Sequence, residues 1–364
     1  MRADLVRAAA PVADPLVERL EGQTARGIVG HERMEAAAEP IDLDDVPGLD
    51  PLEPHPAQAY ERAGTSGSCP SLRDVASLVS PRRTGAIVFN EVAAEYDRRR
   101  PAYPEELVDR ACEAAGIEPG DAVLEVGCGT GQLTRSLVGR GLRVLAVEPG
   151  RRLASVAERN LEGAGRAEFV NARFEDAQLP DGRFRAVFSA AAFHWIDPAV
   201  GWEKAARVLE PGGTLALIQY CGLRVQAGLD DQATLLAALG RIAPELAAAW
   251  PAYRDLDALV AGAEQRRENV SEVWDWVGSQ DVARAEAERL FGDVRIAYVP
   301  LVAEHTADEL NGLLRTASFY PRLSPDQRHA LESEHVALYE RLGRRIRTSM
   351  VVVLVTARRP GPPG

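Results

Sequence analysis

From Val88 onward, short apolar runs alternate with amphipathic stretches of helical period. This alternation predicts an α/β fold in which a doubly wound, mostly parallel sheet is covered by helices on both faces. Helices are expected to start near Thr130, Gly150 and Pro198, where cap or turn residues stand. Five predicted strands follow one another at residues 122–126, 142–147, 167–170, 184–189 and 214–220.

The alternation stops after Tyr220 for about seventy alanine-rich residues. A plain loop of this length would be exceptional, so residues 222–292 are predicted to form a helical insertion that acts as a lid. Strand-like segments return at 294–302 and 346–355. Between them, residues 306–342 are predicted to be helical with an interruption at their two prolines.

The chain divides into regions of different composition. Residues 1–83 hold 9 of the 24 prolines, and residues 35–61 are strongly acidic. We therefore expect 1–83 to be an extension that is partly disordered or helical. The main domain is predicted at 84–358, followed by a short tail at 359–364.

Composition and charge narrow the class of protein. The chain is 46% hydrophobic and 26% charged, as expected of a globular protein. Its 42 basic and 54 acidic residues give a net charge of −12, which argues against nucleic acid as the main partner.

Cysteine, histidine and apolar residues bear on location and metal binding. Four dispersed cysteines without a CxxC pair favour reduced thiols, and no HxxxH or HExxH pattern supports a zinc site. Charged residues interrupt the N-terminus where a signal peptide would be apolar, and the longest apolar run, 350–355, cannot span a bilayer. A cytoplasmic protein without a metal or membrane partner is expected.

A glycine-rich segment, residues 125–132 (EVGCGTGQ), joins the first predicted strand to the first helix. In an open α/β sheet, ligands bind at this carboxyl edge. Gly127, Gly129 and Gly131 lack a Cβ, so the backbone can adopt positive φ and a ligand can rest directly on it. A dinucleotide-binding loop would have its third glycine at 132, where Gln132 stands.

An acidic residue follows the second strand. Glu148 lies 21 positions beyond Gly127, where a carboxylate could accept hydrogen bonds from both hydroxyls of a ribose. The alternative interpretation is an ordinary solvated acid at a strand end.

The spacing E-x-G-x-G-x-G resembles the first motif of the class I S-adenosylmethionine-dependent methyltransferases. Residues 96–104 (YDRRRPAYP), 193–197 (FHWID) and 211–213 (PGG) are similar to segments of a bacterial small-molecule branch that includes trans-aconitate methyltransferase. The resemblance implies a Rossmann-like, seven-stranded sheet of order 3-2-1-4-5-7-6 with the seventh strand antiparallel. It also implies S-adenosylmethionine as the cofactor.

The same resemblance implies a set of cofactor-binding residues. The loop residues Glu125, Gly127, Cys128, Gly129, Gly131 and Gln132 would approach the ribose and methionine portions, and Glu148 would hold the ribose. The Ala190 carbonyl would meet the methionine ammonium.

Two parts of this implied site have alternatives. Arg173 stands where many family members carry an acid near the adenine, so Phe174 or Glu175 would hold the adenine instead, or Phe174 is simply core. Tyr96 and Arg100 would close over the methionine carboxylate, because a guanidinium suits a carboxylate. The competing interpretation is that Arg98, Arg99 and Arg100 form a solvated helix end.

Methyl transfer requires the acceptor in line with the sulfonium carbon and away from water, so positioning can supply most of the rate. His194 is the candidate general base if the acceptor carries a proton, and a packing role is the alternative. The aromatic residues Trp250, Trp274, Trp276 and Tyr320 are candidates for an acceptor pocket, or for a small core under the lid.

These features predict an enzyme that methylates a small molecule and releases S-adenosylhomocysteine. The fourth strand ends in residues 189–192 (SAAA), without the Asn/Asp-Pro-Pro-aromatic tetrad of amino-methylating nucleic-acid enzymes. Two alternatives remain: a nicotinamide-dependent oxidoreductase, which Gln132 disfavours, and a non-catalytic or repurposed S-adenosylmethionine-binding protein.

Overall fold

The computed structural model describes residues 89–164, 166–225, 230–248, 250, 252–278 and 282–361. The strands within them form one sheet in the order β3-β2-β1-β4-β5-β7-β6, and β7 is antiparallel to both of its neighbours. The predicted fold class is confirmed. The predicted N-terminal extension, residues 1–83, lies outside the described residues, as do residues 362–364 of the tail.

The predicted strands are all present, and the last three are longer than the sequence pattern indicates. The added residues of β6 and β7, and residues 221–222 of β5, pair with an antiparallel neighbour that satisfies their backbone groups. The earlier start of β5 is on its other side, where Leu209 pairs in parallel with Phe184. The strands are β1 Ala122–Val126, β2 Arg143–Val147, β3 Ala167–Val170, β4 Phe184–Ala190, β5 Leu209–Gly222, β6 Gly292–His305 and β7 Ile346–Arg358.

Helices cover the sheet and fill the predicted insertion. In the first part of the chain they are α1 Ala93–Arg99, α2 Glu105–Ala115, α3 Gln132–Gly139, α4 Arg151–Asn160 and α5 Pro198–Val208. Between β5 and β6 they are α6 Gln232–Ile242, α7 Pro244–Ala248, α8 Leu256–Glu264, α9 Val270–Gly278 and α10 Ala287–Leu290. Between β6 and β7 they are α11 Ala307–Arg315 and α12 Pro325–Arg341. Short 3-10 helices lie at Phe89–Val92, Phe193–Trp195 and Tyr320–Arg322.

The helical segment between β6 and β7 is interrupted near its two prolines, as predicted, and each of its two helices starts at a capping residue. Thr306 starts α11 with a reciprocal pair of hydrogen bonds to Glu309. Ser324 starts α12 in the same way with Gln327, and Pro325 occupies the first turn, where its missing N–H is not needed. Two helices are therefore specified in place of one long helix.

The sheet has a hydrophobic core on each face. Successive residues of one central strand point to opposite cores: Val187 packs with Trp202 on one face, and Phe188 packs with Leu137 on the other. Because both faces are covered, the central strands β1 and β4 are mostly apolar on both faces, with Glu125, Arg185 and Ser189 as the polar residues.

Candidate functional site

The loop between β1 and α3 lies at the carboxyl edge of the sheet, beside the ends of β2 and β4. Gly127, Gly129 and Gly131 have φ values of 74°, 59° and 89°. Side chains other than glycine rarely adopt this left-handed region. The backbone path of the loop therefore depends on glycine at all three positions.

The three glycines differ in what surrounds them. A Cβ at Gly127 would lie 2.3 Å from the Cβ of Ala192, and a Cβ at Gly131 would lie 3.3 Å from the Cβ of Ala157. A Cβ at Gly129 would find no atom closer than 3.7 Å. Close packing within the protein therefore disfavours a side chain at Gly127, and to a smaller extent at Gly131, whether or not a ligand is bound.

The carboxyl group of Glu148 is held by two neighbouring loops. Its Oε2 accepts a hydrogen bond from the Gly129 N–H at 3.0 Å, and its Oε1 accepts one from the Gly150 N–H at 2.8 Å. Glu148 is only 5% exposed, and burial raises its pKa to about 7, although the two amide donors act in the opposite direction. This burial excludes the alternative of a solvated acid. Each carboxylate oxygen can still accept from a further donor.

Glu148 borders a cavity, here called the first cavity, at the edge of the sheet. The cofactor residues predicted from sequence that line it are Tyr96, Gly127, Gly129, Glu148, Phe174, Glu175 and Ala190. The other lining residues are Phe89, Val126, Val147, Pro149, Leu153, Arg173, Ala191, Ala192, Trp195 and Ile196. The structure thus brings together residues from the ends of β1, β2 and β4.

Several predicted residues do not line the first cavity: Arg100, Glu125, Cys128, Gly131 and Gln132. Glu125 and Cys128 are buried against α3, where burial raises the pKa of the carboxyl to about 7 and that of the thiol well above its usual range. Their side chains therefore support the loop from inside the protein.

Phe174 and Glu175 both line the first cavity, so either side chain could contact the adenine of a bound cofactor. Phe174 is 3% exposed and also belongs to the core, and the ammonium of Lys204 lies 5.2 Å from its ring centroid. Oε1 of Glu175 accepts hydrogen bonds from the Arg173 guanidinium and from the Asp197 N–H.

The first cavity shares one wall, which the sequence did not indicate, with a second cavity. The ring of Phe89 meets Tyr96 and Trp195 edge to face, with centroids 5.5 and 5.9 Å apart. Ala191 completes the wall with φ 50°, an uncommon value for a residue with a side chain. These four residues line both cavities.

The second cavity has a volume of about 400 Å³ and lies between the end of the sheet and the inserted helices. Apart from the shared wall, it is lined by Arg100, His194, Gln219, Tyr220, Cys221, Gly222, Trp250, Ala252, Tyr253, Arg254, Leu259, Val277, Gly278, Ala317, Ser318 and Phe319. His194, the predicted candidate base, faces this cavity beside Trp195, with ring centroids 4.9 Å apart.

The three consecutive arginines at the end of α1 have separate environments. Arg98 is 64% exposed, and Arg99 pairs with Asp308 at 2.6 Å. Arg100 turns inward: its Nη2 donates to the Thr316 carbonyl at 2.6 Å, and its guanidinium lies 5.1 Å from the ring centroid of Tyr96. The interpretation as a solvated helix end therefore holds for Arg98 and fails for Arg100.

Of the four aromatic residues expected around an acceptor, only Trp250 lines the second cavity. Trp274 is 1% exposed in the core. The ring of Trp276 lies between the guanidinium groups of Arg254 and Arg266, at 3.9 and 4.1 Å. The Tyr320 hydroxyl donates to Glu332 at 2.6 Å. Tyr253 and Phe319, which line the cavity, carried no distinguishing signal in the sequence.

Part of the chain is similar in sequence to known methyltransferases. Residues 124–217 match the family described as methyltransferase domain. An uncharacterized methyltransferase of Mycobacterium tuberculosis is 39% identical over 141 residues, which are 39% of this chain and 55% of that protein. A demethylmenaquinone methyltransferase of Clavibacter sepedonicus is 29% identical over 138 residues, or 36% of this chain and 56% of that protein.

A solved structure of similar architecture is a putative type II methyltransferase from Anaeromyxobacter dehalogenans, with a TM-score of 0.49 and 21% identity. The match covers 72% of this chain and 99% of that one.

The chain spans about half the length of the curated relatives it matches. In the described part of the chain, no helix has the length and apolar character needed to cross a bilayer.

Proposed function

Since the chain carries a class I S-adenosylmethionine-dependent methyltransferase domain, we propose that the protein methylates a small molecule and releases S-adenosylhomocysteine. The observation that carries the proposal is the buried carboxyl of Glu148, which two loop amides hold at the first cavity. Such a group is positioned to accept hydrogen bonds from two adjacent hydroxyls of a ribose.

The residues of the first cavity fit the parts of S-adenosylmethionine. Glu148 would hold the ribose, and the absence of a side chain at Gly129, which lines the first cavity, would allow the ligand close to the backbone. Phe174 or Glu175 would contact the adenine, and the Ala190 carbonyl and Tyr96 would meet the methionine portion. When bound, the cofactor supplies a methyl group on a positively charged sulfur.

The second cavity would hold the acceptor. Its volume of about 400 Å³ lies within the range of small-molecule sites. Phe89, Tyr96, Ala191 and Trp195 border both cavities, so acceptor and methyl donor would be neighbours. The aromatic residues of the shared wall would limit the access of water, and positioning would supply much of the rate. His194 would take up a proton if the acceptor atom carries one.

Binding of S-adenosylhomocysteine, measured by isothermal titration calorimetry, tests the proposal. The wild-type protein should bind it, and Glu148→Gln should weaken binding by about tenfold or more, because a charge-assisted acceptor is lost. Glu162→Gln, at an exposed position, is the matched control and should bind like wild type. A wild-type protein that binds NAD and not S-adenosylhomocysteine would refute the proposal.

Turnover requires a separate experiment. Incubation with methyl-labelled S-adenosylmethionine and a metabolite extract should yield a labelled small molecule. Retention of all label in the cofactor, with binding intact, would favour a non-catalytic binding protein.

A further inference from the structure

We propose that the second cavity selects an aromatic acceptor that carries a carboxylate, and that Arg100 binds this carboxylate. The inference rests on the proposed function of the first cavity. It deepens that function by naming the class of acceptor and the residue that recognises it.

The shape and polarity of the second cavity favour an aromatic ring. Trp250 and Phe319 meet edge to face with centroids 5.0 Å apart, and Trp195, Tyr220 and Tyr253 also line the cavity. The polar atoms of Trp250 and Tyr253 bind each other, since the indole N–H donates to the Tyr253 hydroxyl at 3.1 Å. The ring surfaces that remain are apolar and suit a flat ligand.

The charges around the second cavity favour an anion. Arg100 and Arg254 both line it, and the described lining residues include no Asp or Glu. Asp230, which lies near Tyr253, does not line the cavity, and its carboxylate accepts from the backbone N–H groups of Gln232 and Ser349 at 3.2 and 3.0 Å. An ammonium group would therefore meet the positive charge of Arg100 in a partly desolvated site.

Arg100 has the features of a carboxylate-binding residue. Its position is fixed from two sides, by the Thr316 carbonyl and by the Tyr96 ring. The buried Nε of Arg100 has no hydrogen-bond partner among the described residues. Buried donors are nearly always paired in folded proteins, and an Nε–H beside an Nη–H matches the two oxygens of a carboxylate.

A second polar side chain lines the second cavity. Gln219 lines the second cavity, and its buried Oε1 has no partner within the described ranges. The side-chain amide could bind a hydroxyl or a carbonyl elsewhere on the ligand. The lining of the cavity thus combines apolar rings with two polar side chains, Arg100 and Gln219, that each carry a buried atom without a partner among the described residues, which matches a substituted aromatic acid.

The methionine portion of the cofactor also carries a carboxylate. Arg100 lines the second cavity and not the first, which favours the acceptor as the source of the bound carboxylate. The experiment must therefore measure both ligands.

The test uses the full chain saturated with S-adenosylhomocysteine and four probes, whose binding is measured by calorimetry. They are 6-hydroxy-2-naphthoate, its carboxamide, the saturated decalin-2-carboxylate and 2-naphthylmethylammonium. The naphthoate should bind about tenfold or more tightly than each of the other three. Equal binding of naphthoate and carboxamide, or tighter binding of the ammonium probe, would overturn the inference.

Variants assign the carboxylate to its binding residue. Arg100→Gln should abolish the preference for naphthoate over its carboxamide and change the affinity for S-adenosylhomocysteine by less than about twofold. Arg100→Lys keeps the charge without the fork and should recover only part of the preference. Arg98→Gln, at the exposed neighbour, should behave like wild type in both measurements.

Two other outcomes contradict the inference. If Arg100→Gln weakens S-adenosylhomocysteine about tenfold and retains the naphthoate preference, Arg100 binds the cofactor carboxylate. If wild type binds S-adenosylhomocysteine and rejects the naphthoate, the acceptor class is wrong while the proposed function stands. Failure of wild type to bind S-adenosylhomocysteine would instead refute the proposed function.

Discussion

The carboxyl of Glu148 is held by backbone that is distant from it in the chain as well as by its own loop. The amide of Gly129 belongs to the turn after β1, whereas Glu148 follows β2. Its raised pKa results from burial between these segments. A residue that the sequence marks only as an acid at a strand end thereby becomes a group that titrates near neutrality.

We expect the affinity for S-adenosylhomocysteine to depend on pH through Glu148. The carboxylate can accept from both ribose hydroxyls, and protonation removes acceptor capacity. Because its pKa is about 7, affinity should fall by up to about tenfold in total as the pH drops from about 8 to about 6. Calorimetry across this range measures the decrease. Glu148→Gln should give a nearly flat profile, and an equally flat wild-type profile would contradict the assignment.

Gly127→Ala is expected to destabilise the protein by about 3 kcal/mol, because a left-handed φ and a steric clash add together. The new Cβ would lie 2.3 Å from that of Ala192. Gly163→Ala is the control for backbone strain alone, since Gly163 has φ 79° and no atom within 4 Å of the added Cβ. Gly163→Ala should lower the free energy of unfolding, measured by urea unfolding, by only about 1 to 2 kcal/mol.

The double variant Gly127→Ala/Ala192→Gly separates the two contributions. Removal of the opposing Cβ should restore about 1 to 3 kcal/mol of the free energy of unfolding lost in Gly127→Ala. Additive losses in the double variant would show that contact with Ala192 does not explain the requirement for glycine.

Two of the inserted helices, α8 and α9, pack in close contact at a glycine of α8. The ring of Trp276 on α9 lies against Gly262 on α8, where an added Cβ would come within 2.3 Å of it. The Trp276 indole N–H donates to the Leu259 carbonyl at 2.9 Å, and two guanidinium groups cover the ring. This packing positions Leu259 and Val277, which line the second cavity.

Two glycines in helices of the insertion give a matched pair of substitutions. Gly262→Ala should destabilise the protein by about 1 to 3 kcal/mol, because overpacking against Trp276 exceeds the gain in helix propensity. Gly240→Ala on α6 should stabilise it by up to about 1 kcal/mol, since the only neighbour of the new Cβ lies 3.9 Å away. Urea unfolding measures both. A stabilising Gly262→Ala would refute the proposed packing constraint.

At the scale of the whole molecule, the buried carboxyl of Glu125 should make stability depend on pH. Burial raises its pKa from 4.5 to about 7, so the folded state holds the proton more tightly than the unfolded state. The resulting stabilisation is complete below about pH 4.5 and is lost as the pH rises through about 7, by up to about 3 kcal/mol. Glu125→Gln should remove this contribution, as urea unfolding at about pH 5.5 and pH 8 would show. An unchanged pH dependence would contradict the burial of an ionisable group there.

The order of strands and helices, the glycine loop after β1 and the position of Glu148 can all be predicted from the amino-acid sequence. These features depend on the local periodicity of apolar residues and on turn residues, which affect only the backbone within a few positions of them. The strand order 3-2-1-4-5-7-6 was available through the resemblance of the loop and its companion motifs to a known family.

Only the tertiary structure decided which side chains line the cavities. Trp250 and Trp274 are both aromatic residues of the insertion, yet one borders the second cavity and the other fills the core. Arg98 and Arg100 belong to the same run of three arginines, but only Arg100 hydrogen-bonds to Thr316, which is 216 residues away in the chain. The physical reason is that packing between distant segments fixes which face of an element is covered, whereas a local pattern shows only that it has an apolar face.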